Sequence, residues 1–274
     1  MSKVGPRYSD LPHGPQVVRI VSGFMETYAV IPARYQSTRL PGKPLLNKTG
    51  KYLVQHVYER ASAAKSVSRV IVATDDRRIL DAVESFGGEA MMTSPDHATG
   101  TDRVAEVARN TDADAFINVQ GDEPEVGPAM IDAAAELLAD GRADIATLAV
   151  RSSDRGRFFD PNTVKVVTDL HGFALYFSRS PLPGGKRLDR RVGSAAFSFL
   201  VHVGLYGFRR EFLLRFAGLP KSPLEELENL EQLRALENGC RIKVGIADRE
   251  PIGIDTPEDY ETFVEKHRRQ MTSG

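Results

Sequence analysis

The sequence predicts an α/β fold, a mixed and mostly parallel sheet flanked by helices. Three observations predict it. Short apolar runs of strand length alternate with helical periods from Thr27 to Val150, the pattern of βαβ units. Glycines follow the helical stretches, at Gly87-Gly88 and Gly141, as they do at helix C-termini. After Pro161 two strand-like runs flank a four-residue turn, so an antiparallel part accompanies the parallel one.

Taken in order, the pattern predicts strands over Tyr28–Ile31, Arg69–Ala73, Glu89–Met92, Ala115–Val119 and Asp144–Val150. Helices are predicted over Tyr52–Ala64, Arg78–Phe86, Thr101–Asn110 and Pro128–Ala139 between them. Val164–Thr168 and Phe173–Phe177 read as a hairpin around Asp169-Leu170-His171-Gly172. A strand over Val201–Phe208 precedes helices over Arg210–Ala217 and Leu224–Glu237. Arg241–Ile246 alternates as a strand, and Thr256-Pro257 opens a last helix, Thr256 as N-cap and Pro257 in the first turn. Residues 1–24, with three prolines and weak periodicity, read as a flexible N-terminal arm, and residues 25–274 as a single domain.

Composition narrows the function. The chain of 274 residues balances 36 Lys+Arg against 37 Asp+Glu, which argues against a bulk nucleic-acid or membrane binder. No apolar run approaches the length of a membrane span, and the single cysteine, Cys240, fits a reducing, cytoplasmic setting.

In open α/β sheets ligands bind beyond the carboxyl ends of the strands, so the loop after the first strand is the first candidate for a site. It runs Ile31-Pro32-Ala33-Arg34-Tyr35-Gln36-Ser37-Thr38-Arg39-Leu40-Pro41-Gly42-Lys43-Pro44-Leu45. Arg34, Arg39 and Lys43 either make a solvated basic loop or surround a polyanion, Arg with forked contacts and Lys as a point charge. No G-x-G-x-x-G follows the strand, and Gly42-Lys43 is followed by Pro44, so the dinucleotide-binding fingerprint and the P-loop motif are both excluded, which argues against a dinucleotide dehydrogenase and a P-loop NTPase.

Asp122, just past the fourth strand, and Asp255, just before the last helix, suit Mg²⁺ beside phosphate oxygens. Each also has a structural reading, as a turn residue and as a helix-dipole partner. On Val201–Phe208 the period of two sets His202, Gly204 and Tyr206 on one face, ligand-facing or core. Leu224, Leu227 and Leu230 have core spacing in one helix, which turns Glu231 toward the apolar side, to meet sugar hydroxyls or a cation such as Arg179 or Arg234.

Several separated segments together resemble one family. They are Ile31–Leu45, Ala73-Thr74-Asp75, Asn118–Pro124, Pro161–Val167, Tyr176–Arg179, His202–Phe208, Ser222–Glu225, Leu230–Arg234 and Asp255–Asp259. From about Met25 to Phe263 the chain is similar to the 3-deoxy-manno-octulosonate (KDO) cytidylyltransferases. The resemblance implies a Rossmann-like nucleotide-binding part, residues 25–150 and 240–270, and a smaller mixed-sheet part for sugar binding and dimerisation, residues 151–239. It implies transfer of CMP from CTP to the eight-carbon acidic sugar KDO, with Mg²⁺, by a homodimer in lipopolysaccharide-type synthesis. Arg34, Ser37, Arg39 and Lys43 would hold the phosphates, and Thr74, Asp75 and Thr99-Gly100-Thr101 the cytidine. Asp122 and Asp255 would hold magnesium, with Lys43, Arg34 and both aspartates acting in catalysis. Gln120, Arg179, His202, Tyr206, Glu231 and Gln232 would face the sugar. Thr99 and Asp102 stand where the family has Ser and Glu, and the loop from Pro183 to Ala196 is short, which bears on sugar choice. An analogous acidic sugar such as 8-amino-KDO or a sialic acid, or a CTP- or sugar-binding protein without turnover, are the alternatives.

Overall fold

The computed structural model describes residues 25–36, 40–184 and 197–272. The N-terminal arm, Ser37, Arg39 and most of the loop from Pro183 to Ala196 lie outside them. The chain divides into two units. The first comprises Phe24–Glu136, Leu205–Gly218 and Pro251–Gly274; the second includes Leu137–Gly204 and Leu219–Glu250.

In the first unit, strands β1 (Thr27–Ala33), β2 (Arg69–Thr74), β3 (Ala90–Met92) and β4 (Ala115–Asn118) lie in the order β3-β2-β1-β4, all parallel. β1 is buried at nearly every position, as a central parallel strand covered on both faces must be. The second half of β8 (Phe199–Arg209) adds antiparallel to β4, pairing Asn118 with Tyr206. Helices α1 (Leu53–Ser62), α2 (Arg77–Ser85) and α3 (Gly100–Arg109) connect the parallel strands, and α4 (Pro128–Ala139) comes after β4 in the chain. α2 starts because the Asp76 carboxylate accepts from the Arg78 N–H at 2.9 Å, and buries Ile79, Leu80, Ala82 and Val83 on one stripe. α3 is opened by a reciprocal capping box: Thr99 Oγ1 accepts from the Asp102 N–H at 3.2 Å, and Asp102 accepts from the Thr99 N–H at 2.9 Å. The departure from Ser and Glu at these two positions therefore preserves the device. α6 (Arg210–Phe216) follows β8, and α9 (Pro257–Thr272) carries the same box between Thr256 and Asp259.

One small core places the ligand edge of this unit. Leu40 from the loop after β1, Leu53 of α1, Ile254, and Tyr260 and Val264 of α9 pack together. Burial of such side chains contributes roughly 1.5–3 kcal/mol each. It ties the segment leading to Lys43 and the segment leading to Asp255 to a common anchor.

In the second unit β5 (Ile145–Ser152) pairs in parallel with β9 (Ile242–Ile246). β6 (Lys165–Thr168) and β7 (Ala174–Ser178) form the expected antiparallel hairpin, turned by Gly172 at φ 77° and by Asp169 accepting from two backbone N–H groups at 2.8 Å. The first half of β8 pairs antiparallel with β6. Residues 205–218 belong with the parallel strands of the first unit, and β5 and β9 belong to the second.

Two local expectations are corrected. The stretch Leu224–Glu237 is two helices, α7 (Pro223–Glu228) and α8 (Gln232–Glu237), because Asn229 takes the left-handed conformation at φ 51°. With that break Leu227 is 81% exposed while Leu230 is buried, so the leucine spacing did not mark a single apolar stripe. A short helix α5 (Arg155–Phe159), N-capped by Asp154, was not expected; five residues are too few to display a period.

Candidate active site

The loop leaving β1 folds back at Gly42, whose φ of 68° favours glycine, into a single 3₁₀ turn over Lys43–Leu45 that Pro44 stiffens. This turn aims the Lys43 ammonium at three oxygens. Nζ lies 2.8 Å from Asp122 Oδ2, 2.7 Å from the Ile254 carbonyl and 3.4 Å from Asp255 Oδ1. Asp122 reaches it from a turn closed by the Glu123 N–H donating to the Gln120 carbonyl at 3.2 Å. That turn passes so close to β1 that a Cβ on Gly121 would meet the Pro32 carbonyl oxygen at 2.7 Å, which explains the glycine. Asp255 is fixed by its own backbone, its N–H donating to Asp259 of the capping box at 3.0 Å, and the Ile254 N–H donates to the Asp122 carbonyl at 2.9 Å.

These groups line a polar cavity of about 420 Å³ with Arg34, Gln36 and Gln120. Lys43 is 14% exposed, Asp122 35% and Asp255 50%, so the ammonium is seated at the base and the carboxylates face outward. Arg34 and Lys43 of the loop thus meet Gln120 and the two aspartates, which lie far from them in sequence. Two outward carboxylates that already converge on one cation fit Mg²⁺, which needs only one or two protein carboxylates beside phosphate and water oxygens. Arg34 reaches across to donate to the His97 carbonyl at 2.9 Å, joining the cavity to the segment that precedes α3.

A family model described as cytidylyltransferase matches residues 28–243. A 3-deoxy-manno-octulosonate cytidylyltransferase of Syntrophotalea carbinolica is 54% identical over 90% of this chain and 100% of its own length. One of Geobacter sulfurreducens is 54% identical over 88% of this chain and 99% of its own. The chain belongs to the 3-deoxy-manno-octulosonate cytidylyltransferase family. The solved structure of CMP:2-keto-3-deoxy-manno-octonic acid synthetase complexed with CTP superposes with a TM-score of 0.84 at 41% identity, covering 89% of this chain and 99% of that one. In this family member the mostly parallel α/β sheet therefore has the expected class.

The remaining expected residues take specific places in this member of the cytidylyltransferase family. Thr74 is fully buried and its hydroxyl accepts from the Asp76 N–H at 3.2 Å, so it shapes the turn that carries Asp75. Asp75 is bound by Arg103. Thr101 is buried, and Thr99 spends its hydroxyl on the cap at the start of α3, next to Gly100. Tyr206, in the first unit, stacks on Phe208. Ser37 and Arg39 lie outside the described residues.

In the second unit His202 sits against Thr147, Nε2 to Oγ1 3.0 Å. The Thr147 hydroxyl donates to the Val203 carbonyl at 3.1 Å, which lets its oxygen accept from His202 Nε2. Burial pushes the His202 pKa down to about 3, in keeping with a neutral ring. The Arg179 guanidinium donates to the carbonyls of Glu228 at 2.9 Å, Pro161 at 3.1 Å and Asn229 at 3.4 Å. In this conformation it works as a clasp on the α7 end. Glu231 stands before α8 with Arg234 at 3.9 Å, whose fork is held by buried Glu225 at 2.7 and 2.8 Å. Gln232 is 5% exposed with its Nε2 lacking a hydrogen-bond partner.

Sequence reasoning passed over Gly121, the Ile254 carbonyl and Arg103. Gly121 was legible as a glycine directly before Asp122 in a tight turn. The Ile254 carbonyl leaves no sequence signal, and nothing in the helical pattern over Thr101–Asn110 singles out Arg103.

Proposed function

We propose that this chain transfers CMP from CTP to the anomeric hydroxyl of KDO, releasing pyrophosphate. The observation that carries the reading is the meeting of Lys43, Asp122 and Asp255 on one polar cavity that Arg34 also lines. The near-full-length relatives at 54% identity bear that activity in their names.

The reaction needs the sugar hydroxyl brought in line with the α-phosphorus and charge drawn from the departing pyrophosphate. Arg34 supplies a planar fork for phosphate oxygens and Lys43 a point charge at the base of the cavity. Asp122 and Asp255 would hold magnesium, which when bound neutralises phosphate charge and polarises the oxygens it touches. Lys43 then has to leave its carboxylate partners for the phosphates, keeping its charge within the same cavity. Asp75 would accept from the cytosine amine. The family resemblance assigns the sugar to Gln120, Arg179, His202, Tyr206, Glu231 and Gln232. Among these, the buried Gln232 amide, lacking an acceptor, is the one whose chemistry most asks for a ligand oxygen. No covalent enzyme intermediate is required.

We read the protein as a cytoplasmic homodimer that activates a sugar for lipopolysaccharide-type synthesis. The lone cysteine supports a reducing setting, and among the described residues no helix is long and apolar enough to cross a membrane. The test is purified protein with CTP, UTP or ATP, magnesium and a panel of acidic sugars. Pyrophosphate should appear with CTP and KDO, with CMP-KDO as the product by mass. Faster turnover of 8-amino-KDO or a sialic acid would reassign the sugar, and nucleotide binding without pyrophosphate would make the chain a binder.

A further inference from the structure

Arg103 lies on α3 with its side chain 0% exposed, yet it carries a full charge. Taking a guanidinium out of water costs several kcal/mol, and an apolar residue would fill the space without that cost. What the arginine supplies is a set of directed bonds. Nη1 donates to Thr93 Oγ1 at 2.7 Å and to the Ser94 carbonyl at 3.2 Å, while Nη2 pairs with the Asp75 carboxylate. Its Nε is buried without a partner, so the polar end alone is served.

Every group it holds lies just past the carboxyl end of β2 or β3, the edge at which open parallel sheets bind ligands. The bonds continue toward the cavity. The Ser94 N–H donates to Glu106 Oε2 at 2.9 Å, the same oxygen meets His97 Nε2, and the His97 carbonyl accepts from Arg34. Asp75 is 21% exposed, so its carboxylate has one side on Arg103 and another toward solvent.

We propose that Arg103 is a positioning residue for nucleotide choice, holding Asp75 where its open side selects a cytosine over a uracil. The proposal rests on the reading of this unit as a CTP site. Cytosine presents an exocyclic amine that donates to a carboxylate, whereas uracil presents a carbonyl oxygen that a carboxylate repels. Discrimination of that kind depends on the carboxylate being unable to turn away. A fully buried, forked partner anchored on a second strand's loop provides that restraint, and a lysine in its place would not reproduce the fork.

The experiment measures kcat and KM for CTP and for UTP, with KDO and magnesium, in the parent protein and in folded Arg103→Lys, Arg103→Met and Asp75→Asn. The parent should prefer CTP. Arg103→Lys should raise the KM for CTP about tenfold with kcat changed less than about threefold, and should narrow the CTP-to-UTP ratio of kcat/KM about tenfold. Asp75→Asn should narrow it at least as much, and adding Arg103→Lys to it should change the ratio little further. A lowered melting temperature with the parent's KM and nucleotide preference would make Arg103 purely structural. Should both arginine variants fail to fold, Asp75→Asn decides alone, and parent-like preference there overturns the proposal. Absence of CTP turnover in the parent protein would instead overturn the underlying reading of the site.

Discussion

The Lys43 ammonium lies 2.8 Å from the Asp122 carboxylate, although 79 residues separate them in sequence. Lys43 is the hinge of the site, since the same nitrogen also holds Ile254 and approaches Asp255. Lys43→Ala should lower kcat/KM for CTP by about a hundredfold or more, on the order of 3 kcal/mol of transition-state stabilisation. Steady-state kinetics checks it, with circular dichroism to establish folding; parent-like constants would remove the phosphate-cradle role.

Asp122→Asn and Asp255→Asn should each cut turnover by about a hundredfold or more while the fold is kept, because both carboxylates are partly exposed and neither anchors the core. Removing divalent metal with a chelator should abolish turnover, and added Mg²⁺ should restore it. Isothermal titration of Mn²⁺ with CTP present should show weakened binding in both variants. Parent-like turnover and metal binding in them would end the metal assignment.

Most of the parallel strands and their helices were legible from runs long enough to show a period, and some ends carry a cap or a glycine, as with Thr256-Pro257 and Gly87. The convergence of Lys43 with Asp122 and Asp255 was legible only as separate strand-end positions; the distances come from Gly42, Gly121 and the small core that holds Leu40 and Ile254. Elsewhere local signals misled. Leucines at 224, 227 and 230 fit a helical stripe, but a left-handed Asn229 breaks the helix and turns Leu227 outward. Asparagine tolerates that conformation better than most residues, but its place inside a leucine-spaced run hid the helix end. Arg103 was hidden for a related reason, since the amphipathic pattern of α3 gives no sign that one arginine faces inward.

That broken helix makes a stability prediction. Leu227→Ser, at a position 81% exposed, should change unfolding free energy by less than about 0.5 kcal/mol, whereas Leu230→Ala should cost about 2–4 kcal/mol. Glu225→Ala should cost about 3–5 kcal/mol, because it strands the buried Arg234 fork. Urea unfolding monitored by circular dichroism compares all three, and a Leu227 variant as damaging as the Leu230 variant would restore the single-helix reading.

Acid should weaken the fold through two histidines. His56, on α1 and facing α9, shares a hydrogen bond with Thr49 at 2.7 Å and packs edge-on against Phe263 and His267. Burial, and then the nearby His267, push its pKa from 6.5 down to about 4; Glu59 opposes this and Lys51 adds to it. In the unfolded chain the same ring protonates near 6.5. Between pH 6.5 and 4 the unfolded state therefore holds a proton that the native state refuses, so stability falls as pH drops through that window. His202, held neutral by burial in the second unit, acts in the same direction down to about pH 3. Urea unfolding at pH 7.5 and pH 5.0 should differ by on the order of a few kcal/mol, and His56→Gln should flatten part of that slope because glutamine takes up no proton. An unchanged slope in the folded variant would show that some other group carries the acid sensitivity.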